Sequence, residues 1–281
     1  MRFLRVLILG LCLGIPWRYA LAHHVVGHSA STGFYNPFAA ASRPPRTFFS
    51  LNFSVDWLDH GLGELYRYQL SGEYAVHPRF SLGAQVSFLS VREKFLAPTD
   101  SIGDISLTAK GLLWHSVSKK QSLHAGLGIS LPTGQEDLGL GSGDVMFSPY
   151  FTYVLNQGRA DFYLTLGTSL AAASQLNPSW DYSLGSNIAL LKKGPLPMDF
   201  FVALQGSTIF SSDTFTAGST KIYATPGLIL HLKPDFFMTL GGKISVIDTL
   251  NLKPGIALAK SSIAPLSDVE TGLVVDFDWF F

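Results

Sequence analysis

The last stretch of the chain, residues 268–281, constrains the fold more than any other. Counting back from Phe281 in steps of two gives Trp279, Phe277, Val275 and Leu273, whereas the residues between them are mostly acidic or small. Alternate side chains of a strand point to opposite faces. The segment therefore predicts a long strand with one aromatic, apolar face and one polar face. Such a strand is typical of a transmembrane barrel, whose strands need about 9–11 residues.

The first 22 residues have the composition of a secretory signal peptide. Arg2 and Arg5 precede an apolar run at 6–15, and Ala20-Leu21-Ala22 supplies a small-residue cleavage site. The apolar run is too short to cross a bilayer as a helix. We therefore expect the chain to be exported, with the mature protein beginning at His23.

Composition excludes several classes of protein. After residue 22 there is no run of 18 apolar residues, which excludes a helical membrane protein. The net charge is +0, which argues against nucleic acid as a partner. An outer-membrane barrel and a secreted soluble β-protein remain. With only 14% charged residues, 13% aromatic residues and 27 glycines, the composition favours the barrel.

The alternation recurs along the mature chain. Residues 23–46 lack it and form an irregular N-terminal extension, so the predicted domains are a signal peptide (1–22), this extension and a barrel (47–281). Twelve strands are predicted, at about 48–57, 66–76, 80–88, 103–114, 121–131, 144–155, 160–171, 180–191, 198–210, 219–232, 235–247 and 268–281. Pro149 and Pro226 fall within strands, on the apolar face, and predict local bulges there.

Connection lengths separate by parity. Connections that follow even-numbered strands are short, as at 77–79, 156–158 and 233–235, and most that follow odd-numbered strands are longer, as at 132–143 and 248–267. Outer-membrane barrels have short periplasmic turns and longer external loops, whereas a soluble sandwich has no reason to sort them. We therefore predict an all-β, antiparallel up-and-down transmembrane barrel in the outer membrane of a Gram-negative bacterium.

The alternation assigns most charged residues to the inner face. Those that are candidates to line a solute path are Arg67, Glu73, Lys110, His124, Lys221, His231, Lys243 and Glu270. Two interpretations stay open: the charges brace a polar lumen by pairing with each other, or a subset of them contacts a passing solute. A charge on the outer face would cost about 2–4 kcal/mol at the membrane midplane.

One segment carries a family signature. The strand beginning Gly103-Asp104 with Leu107 and Lys110 precedes a strand that ends in Leu131-Pro-Thr-Gly134, and a loop with Gly141-Ser-Gly-Asp144 follows. These motifs resemble those of the outer-membrane family named for the meta-pathway of phenol degradation, whose members are described as transporters. The resemblance implies a barrel that moves small, often hydrophobic or aromatic, compounds across the outer membrane.

Histidines cluster at the start of the mature chain. His23 would carry the free amine, and His24 and His28 follow closely. An amine with imidazoles is a ligand set suited to copper or zinc. A flexible polar tail is the alternative, and the extension is also long enough to fold back into the lumen as a plug.

The function predicted from the sequence is an outer-membrane channel or transporter for small, hydrophobic or aromatic, solutes. The alternative is a non-transporting outer-membrane protein with a structural, adhesive or metal-binding role. No cofactor is expected, and no enzymatic activity, because no Ser-centred G-x-S-x-G motif is present. The expected partners are outer-membrane lipid, the solute and the outer-membrane assembly machinery. Phe277, Trp279 and Phe281 resemble the C-terminal signal by which that machinery recognises its clients.

Overall fold

Antiparallel strands dominate the computed structural model, which describes residues 45–58, 63–93, 98–118, 120–135, 140–172, 178–191, 196–209, 220–249 and 269–281. The strands are β1 (Phe48–Leu58), β2 (Gly63–His77), β3 (Phe80–Glu93), β4 (Thr99–Ile102), β5 (Ile105–His115), β6 (Gln121–Leu131), β7 (Met146–Asn156), β8 (Ala160–Ala171), β9 (Ser179–Leu191), β10 (Met198–Ile209), β11 (Thr220–Lys233), β12 (Phe236–Thr249) and β13 (Val269–Phe280). Strand β1 pairs with both β2 and β13, and β2 pairs with β3, so the sheet closes on itself.

Two of these segments form one membrane-spanning strand. β4 and β5 both pair antiparallel with β3, and the interruption between them lies at Gly103 and Asp104. The backbone N–H of Gly103 still donates to the carbonyl of Ser87 at 2.8 Å. The barrel thus has twelve strands, which confirms the predicted fold class and strand number. The fourth strand begins at Thr99, earlier than the predicted boundary.

The bulges predicted at Pro149 and Pro226 are wrong. Phe147 pairs with Leu170 and Tyr150 with Gly167, so the register of β7 on β8 is the same on both sides of Pro149. The pairing of β11 with β12 is likewise unshifted across Pro226. Each proline only leaves a gap in the ladder on one side of its strand, because it lacks the N–H that would bond there.

The outer surface of the barrel is apolar. Leu51, Leu164 and Phe151 are 44%, 41% and 54% exposed, which a water-soluble sheet would not tolerate around its whole circumference. Exposed aromatic side chains occur toward both ends of the strands: Trp57, Tyr68, Phe88 and Trp180 toward the outer mouth, and Tyr74, Phe80, Trp114 and Phe162 toward the periplasmic turns. An apolar band between two aromatic girdles is the membrane-facing surface of an outer-membrane barrel. Across the described ranges, no helix has the length and hydropathy needed to cross a membrane.

Candidate functional site

The inner wall of the barrel is lined mainly by hydroxyl groups. Buried serine and threonine side chains face inward from nine of the strands. They are Ser50 and Ser54 on β1, Ser81 on β3, Ser106 on β5, Ser130 on β6, Ser148 and Thr152 on β7, Thr165 and Ser169 on β8, Ser183 on β9, Thr225 on β11 and Thr239 on β12. Several pair across neighbouring strands, including Thr152 with Thr165 at 2.9 Å and Ser148 with Ser169 at 3.1 Å between their oxygens. The alternation of the sequence produces this surface, since every second residue points inward.

Two buried ion pairs join strands that are not neighbours. Lys110 Nζ lies 2.8 Å from Glu73 Oε2, which connects β5 to β2 across β3. Lys243 Nζ lies 3.2 Å from Asp56 Oδ1, which connects β12 to β1 across β13. All four side chains are at most 7% exposed. Each lysine is therefore held by a carboxylate on the wall.

A glycine lies on the intervening strand beside each of these pairs. Gly83 of β3 stands opposite Glu73 on one side and Thr108 on the other, and a Cβ there would overlap the Thr108 hydroxyl. Gly272 of β13 stands opposite both Asp56 and Lys243, and a Cβ there would lie 2.5 Å from Asp56 Oδ1. At Gly272 the Asp56 carboxylate therefore occupies the space that a side chain would fill, and at Gly83 the Thr108 hydroxyl does so.

Aromatic rings cover other glycines of the inner wall. The Tyr150 ring lies over Gly126, and the Tyr163 ring lies over Gly185. A Cβ at either glycine would overlap the phenol ring, so the rings lie against the wall rather than across the lumen. An aromatic side chain over a cross-strand glycine protects backbone that would otherwise be bare.

Apolar side chains form clusters inside the lumen toward its two ends. Toward the outer mouth, Leu65, Leu89 and Val91 pack with Leu140. Toward the periplasmic end lie Phe48 and Phe280 with Phe237 against them, and a further cluster of Tyr163, Phe201, Ala203 and Ile229. The hydroxyl-lined wall thus lies between apolar surfaces.

Leu140 belongs to a connection that is tied to the wall by Asp104. The two Asp104 carboxylate oxygens accept hydrogen bonds from the backbone N–H groups of Gly134 (3.0 Å) and Ser142 (2.8 Å). The Thr133 hydroxyl accepts from Ile105 N–H at 2.9 Å. One carboxylate therefore fixes both ends of the connection between β6 and β7, and this fixation holds Leu140 inside the mouth at 1% exposure.

The predicted solute-path residues divide into three groups. Arg67, Glu73, Lys110, His124 and Lys243 are buried on the inner wall. Lys221 and His231 are partly buried, and Glu270 lies in β13. The structure brings Glu73 and Lys110 together, whereas Lys243 pairs with Asp56 and His231 with Asp199 at 3.0 Å.

His124 has the most enclosed side chain of that set. It is 0% exposed, and its Nε2 lies 2.8 Å from the Ser122 hydroxyl on the same strand. Ser122 and His124 are two residues apart and share the inner face. The imidazole of His124 is therefore enclosed within the inner wall of the barrel.

Sequence patterns did not single out Asp181, and they placed Asp104 in the family motif without assigning it a contact. Asp181 is buried and accepts hydrogen bonds from the Ser169 hydroxyl at 2.7 Å and the Ser179 hydroxyl at 3.4 Å. The inward alternation of β9 was a usable signal for Asp181. For Asp104 the signal was the spacing of its motif from Thr133, Gly134 and Ser142. That spacing shows a contact only once the register of β5 on β6 is known.

The remaining predicted residues lie at the ends of the chain. Trp279 stacks on Phe236 with ring centroids 4.6 Å apart, Phe277 packs beside it, and Phe281 is 87% exposed. His23, His24 and His28, with the predicted signal peptide and nearly all of the predicted extension, lie outside the described residues. Among the residues that are described, no three His, Cys, Asp or Glu side chains form a group suited to a metal ion.

Comparison with known proteins agrees with this architecture. The family described as "Putative MetA-pathway of phenol degradation" matches residues 86–249. An outer membrane channel from Pseudomonas putida F1 has a TM-score of 0.61 at 14% identity, with 86% of this chain and 97% of that chain covered. The NanC porin gives 0.55 at 7% identity, covering 84% and 100%, and the KdgM porin gives 0.50 at 11% identity, covering 83% and 99%. No curated protein matches the sequence. The fold is that of an outer-membrane barrel, which places the protein in the outer membrane of a Gram-negative bacterium.

Proposed function

The chain belongs to the family of the MetA-pathway of phenol degradation, and from that membership and the geometry of its lumen we propose that it conducts small solutes across the outer membrane. One observation carries the proposal: a wall of hydroxyl groups lies between apolar clusters inside the barrel. A structural or adhesive barrel has no need of such a graded inner surface.

The same surface favours solutes that combine an apolar part with polar groups. An aromatic ring or short hydrocarbon chain suits the cluster of Leu65, Leu89, Val91 and Leu140, and hydroxyl or carboxyl groups suit the serines and threonines beyond it. The lysines Lys110 and Lys243 are neutralised by their carboxylate partners, so strong attraction of multiply charged anions is not expected. Small aromatic acids and phenol-like compounds meet these conditions.

Liposome swelling tests this proposal. Purified protein in vesicles is challenged with aromatic acids and with sugars of similar size, and we expect faster entry of the aromatic compounds. Leu89→Asn should reduce that preference by making the outer cluster polar, whereas Leu89→Met preserves volume and apolarity and should retain it. Absence of swelling with every solute would refute a channel function.

The proposal assigns transport rather than catalysis to the barrel. A detergent-micelle assay for phospholipase or lipid A deacylase activity tests this assignment directly. If the wild-type protein hydrolyses these lipids and the variant Ser122→Ala/His124→Ala does not, the barrel is an enzyme instead.

The N-terminal extension remains a separate proposal. Residues 23–46 are long enough to enter the lumen, and His23, His24 and His28 supply imidazoles for copper or zinc. Isothermal titration with each metal compares the mature protein with a variant lacking residues 23–46. If the mature protein and the variant lacking residues 23–46 bind the metal equally well, these histidines are not its ligands.

A further inference from the structure

The periplasmic end of the barrel carries a ring of exposed cations. Arg79 lies in the turn between β2 and β3, Lys120 before β6, Arg159 before β8 and Lys233 at the end of β11. All four side chains are exposed, and among the residues described in these turns only Asp235, two residues after Lys233, is an exposed carboxylate. Since these connections are distributed around the barrel, the cations surround the rim rather than forming a patch on one side.

These cations lie just beyond the periplasmic aromatic girdle. Phe80 follows Arg79 directly and is 40% exposed, and Phe162 follows Arg159 by three residues and is 42% exposed. Aromatic girdles mark the level of the lipid headgroups in an outer-membrane barrel. Arg79 and Arg159 therefore project at headgroup depth, where their long side chains can reach lipid phosphates while the rings contact the acyl chains.

The opposite rim has the reverse charge. At the outer ends of the described strands, Glu64, Asp100 and Asp144 lie near the mouth together with Arg92 and Lys221. The concentration of cations is therefore a property of the periplasmic end and does not arise from the average composition, which has 20 basic and 20 acidic residues.

We propose that this basic rim binds the headgroups of anionic phospholipids in the inner leaflet of the outer membrane. The partner is a lipid rather than a nucleic acid or a soluble protein because the cations follow the circumference at headgroup depth. Arg79 and Arg159 can each form two parallel hydrogen bonds to one phosphate, whereas Lys120 and Lys233 act as point charges. Each cation near an anionic surface contributes about a fivefold increase in lipid affinity at low salt.

The experiment compares lipids retained by the full-length protein. The protein is reconstituted in nanodiscs of phosphatidylethanolamine with a minor fraction of phosphatidylglycerol, then released and analysed by native mass spectrometry at low salt. We expect the wild type to be enriched in phosphatidylglycerol relative to the nanodisc. The quadruple variant Arg79→Gln, Lys120→Gln, Arg159→Gln and Lys233→Gln should lose that enrichment, because no charge remains at these positions.

Two further variants act as controls. The charge-conserving quadruple variant Arg79→Lys, Lys120→Arg, Arg159→Lys and Lys233→Arg should keep the enrichment, and Arg92→Gln at the outer rim should leave it unchanged. Heat-modified migration on gels confirms that each variant is folded. Raising the ionic strength should reduce the wild-type enrichment, since exposed charges are screened. Equal retention of the two lipids by the wild type, or undiminished enrichment in the neutral variant, would overturn the proposal.

Discussion

Lys243 reaches Asp56 across the strand that closes the barrel. Their charged atoms are 3.2 Å apart, although β13 separates β12 from β1, and both residues stand opposite Gly272 in register. The ammonium group also lies 4.3 Å from the centroid of the Tyr223 ring. The contact therefore joins the two ends of the barrel sequence over the seam, in addition to the hydrogen-bonded ladder between β1 and β13.

Loss of one partner of this seam contact should destabilise the barrel. Lys243→Met leaves the Asp56 carboxylate buried without its cation, and we expect a loss of about 3–5 kcal/mol in unfolding free energy. The measurement is urea unfolding in zwitterionic vesicles, followed by intrinsic fluorescence. Lys120→Met, at an exposed site, should change stability by less than about 0.5 kcal/mol. The double variant Asp56→Leu/Lys243→Met should recover much of the loss, and failure of Lys243→Met to destabilise would show that the pair does not hold the seam.

The glycine beneath the Tyr150 ring provides a second test. Gly126→Ala places a Cβ where the ring lies, and the Tyr150 side chain has little free space to move into because it is only 4% exposed. We expect overpacking to cost about 1–3 kcal/mol in the same unfolding assay. Gly242→Ala is the matched control, because a Cβ at Gly242 meets nothing within 4 Å. Equal stability of the two alanine variants would contradict the close packing of ring and wall.

The Asp104 carboxylate should control the width of the outer mouth. Asp104→Ala removes the acceptor for Gly134 and Ser142, a loss of about 1.5–3 kcal/mol for each bond to the charged group. Without those bonds Leu140 is no longer fixed in the mouth, and we expect higher single-channel conductance in planar bilayers. Asp100→Ala, an exposed carboxylate on β4, should leave conductance unchanged. Identical conductance of Asp104→Ala and wild type would show that the tied connection does not limit flow.

The assignment of inner and outer faces is tested at two adjacent residues. Leu164 is 41% exposed on the outer face, whereas Thr165 is buried inside and bonds Thr152. Leu164→Arg should cost about 2–4 kcal/mol near the membrane midplane and lower the yield of folded barrel. Thr165→Asn and Leu164→Met should assemble far better. Heat-modified gel migration measures the folded fraction, and equal yields from Leu164→Arg and Thr165→Asn would reverse the register.

Much of the fold follows from the alternation in the sequence, for a physical reason. Each strand has one face toward lipid and one toward the polar lumen, so its residues alternate between apolar and polar. The polarity of Leu164 and of Thr165 therefore predicts which face each one occupies, without knowledge of the neighbouring strands. Connection lengths then fix the direction of each strand. The prolines were misjudged because one side of a strand can lose a hydrogen bond at Pro149 while the register survives.

The contacts within the lumen could not be predicted from the sequence. Lys110 and Glu73 are 37 residues apart in sequence, and their pairing depends on the stagger of three neighbouring strands. The alternation predicts whether each residue faces the lumen or the lipid, but it does not predict which residue it contacts. The same limit applied to Asp104, whose motif was visible in the sequence although its role in tying Gly134 to Ser142 was not.

Phe281 provides the last prediction, because it contributes little to the finished barrel. Its side chain is 87% exposed, and its main contact is the backbone hydrogen bond from its N–H to the Thr47 carbonyl at 3.0 Å. Trp279, by contrast, stacks on Phe236 and packs near Phe49. If the terminal aromatic is a signal for the assembly machinery, deleting Phe281 should lower the outer-membrane yield in cells while folding of the purified chain into detergent proceeds normally. Phe281→Tyr should preserve the yield, whereas Trp279→Ala should impair both processes because it also removes packing. Normal outer-membrane yield after the deletion, measured by immunoblot of membrane fractions, would show that recognition does not require Phe281.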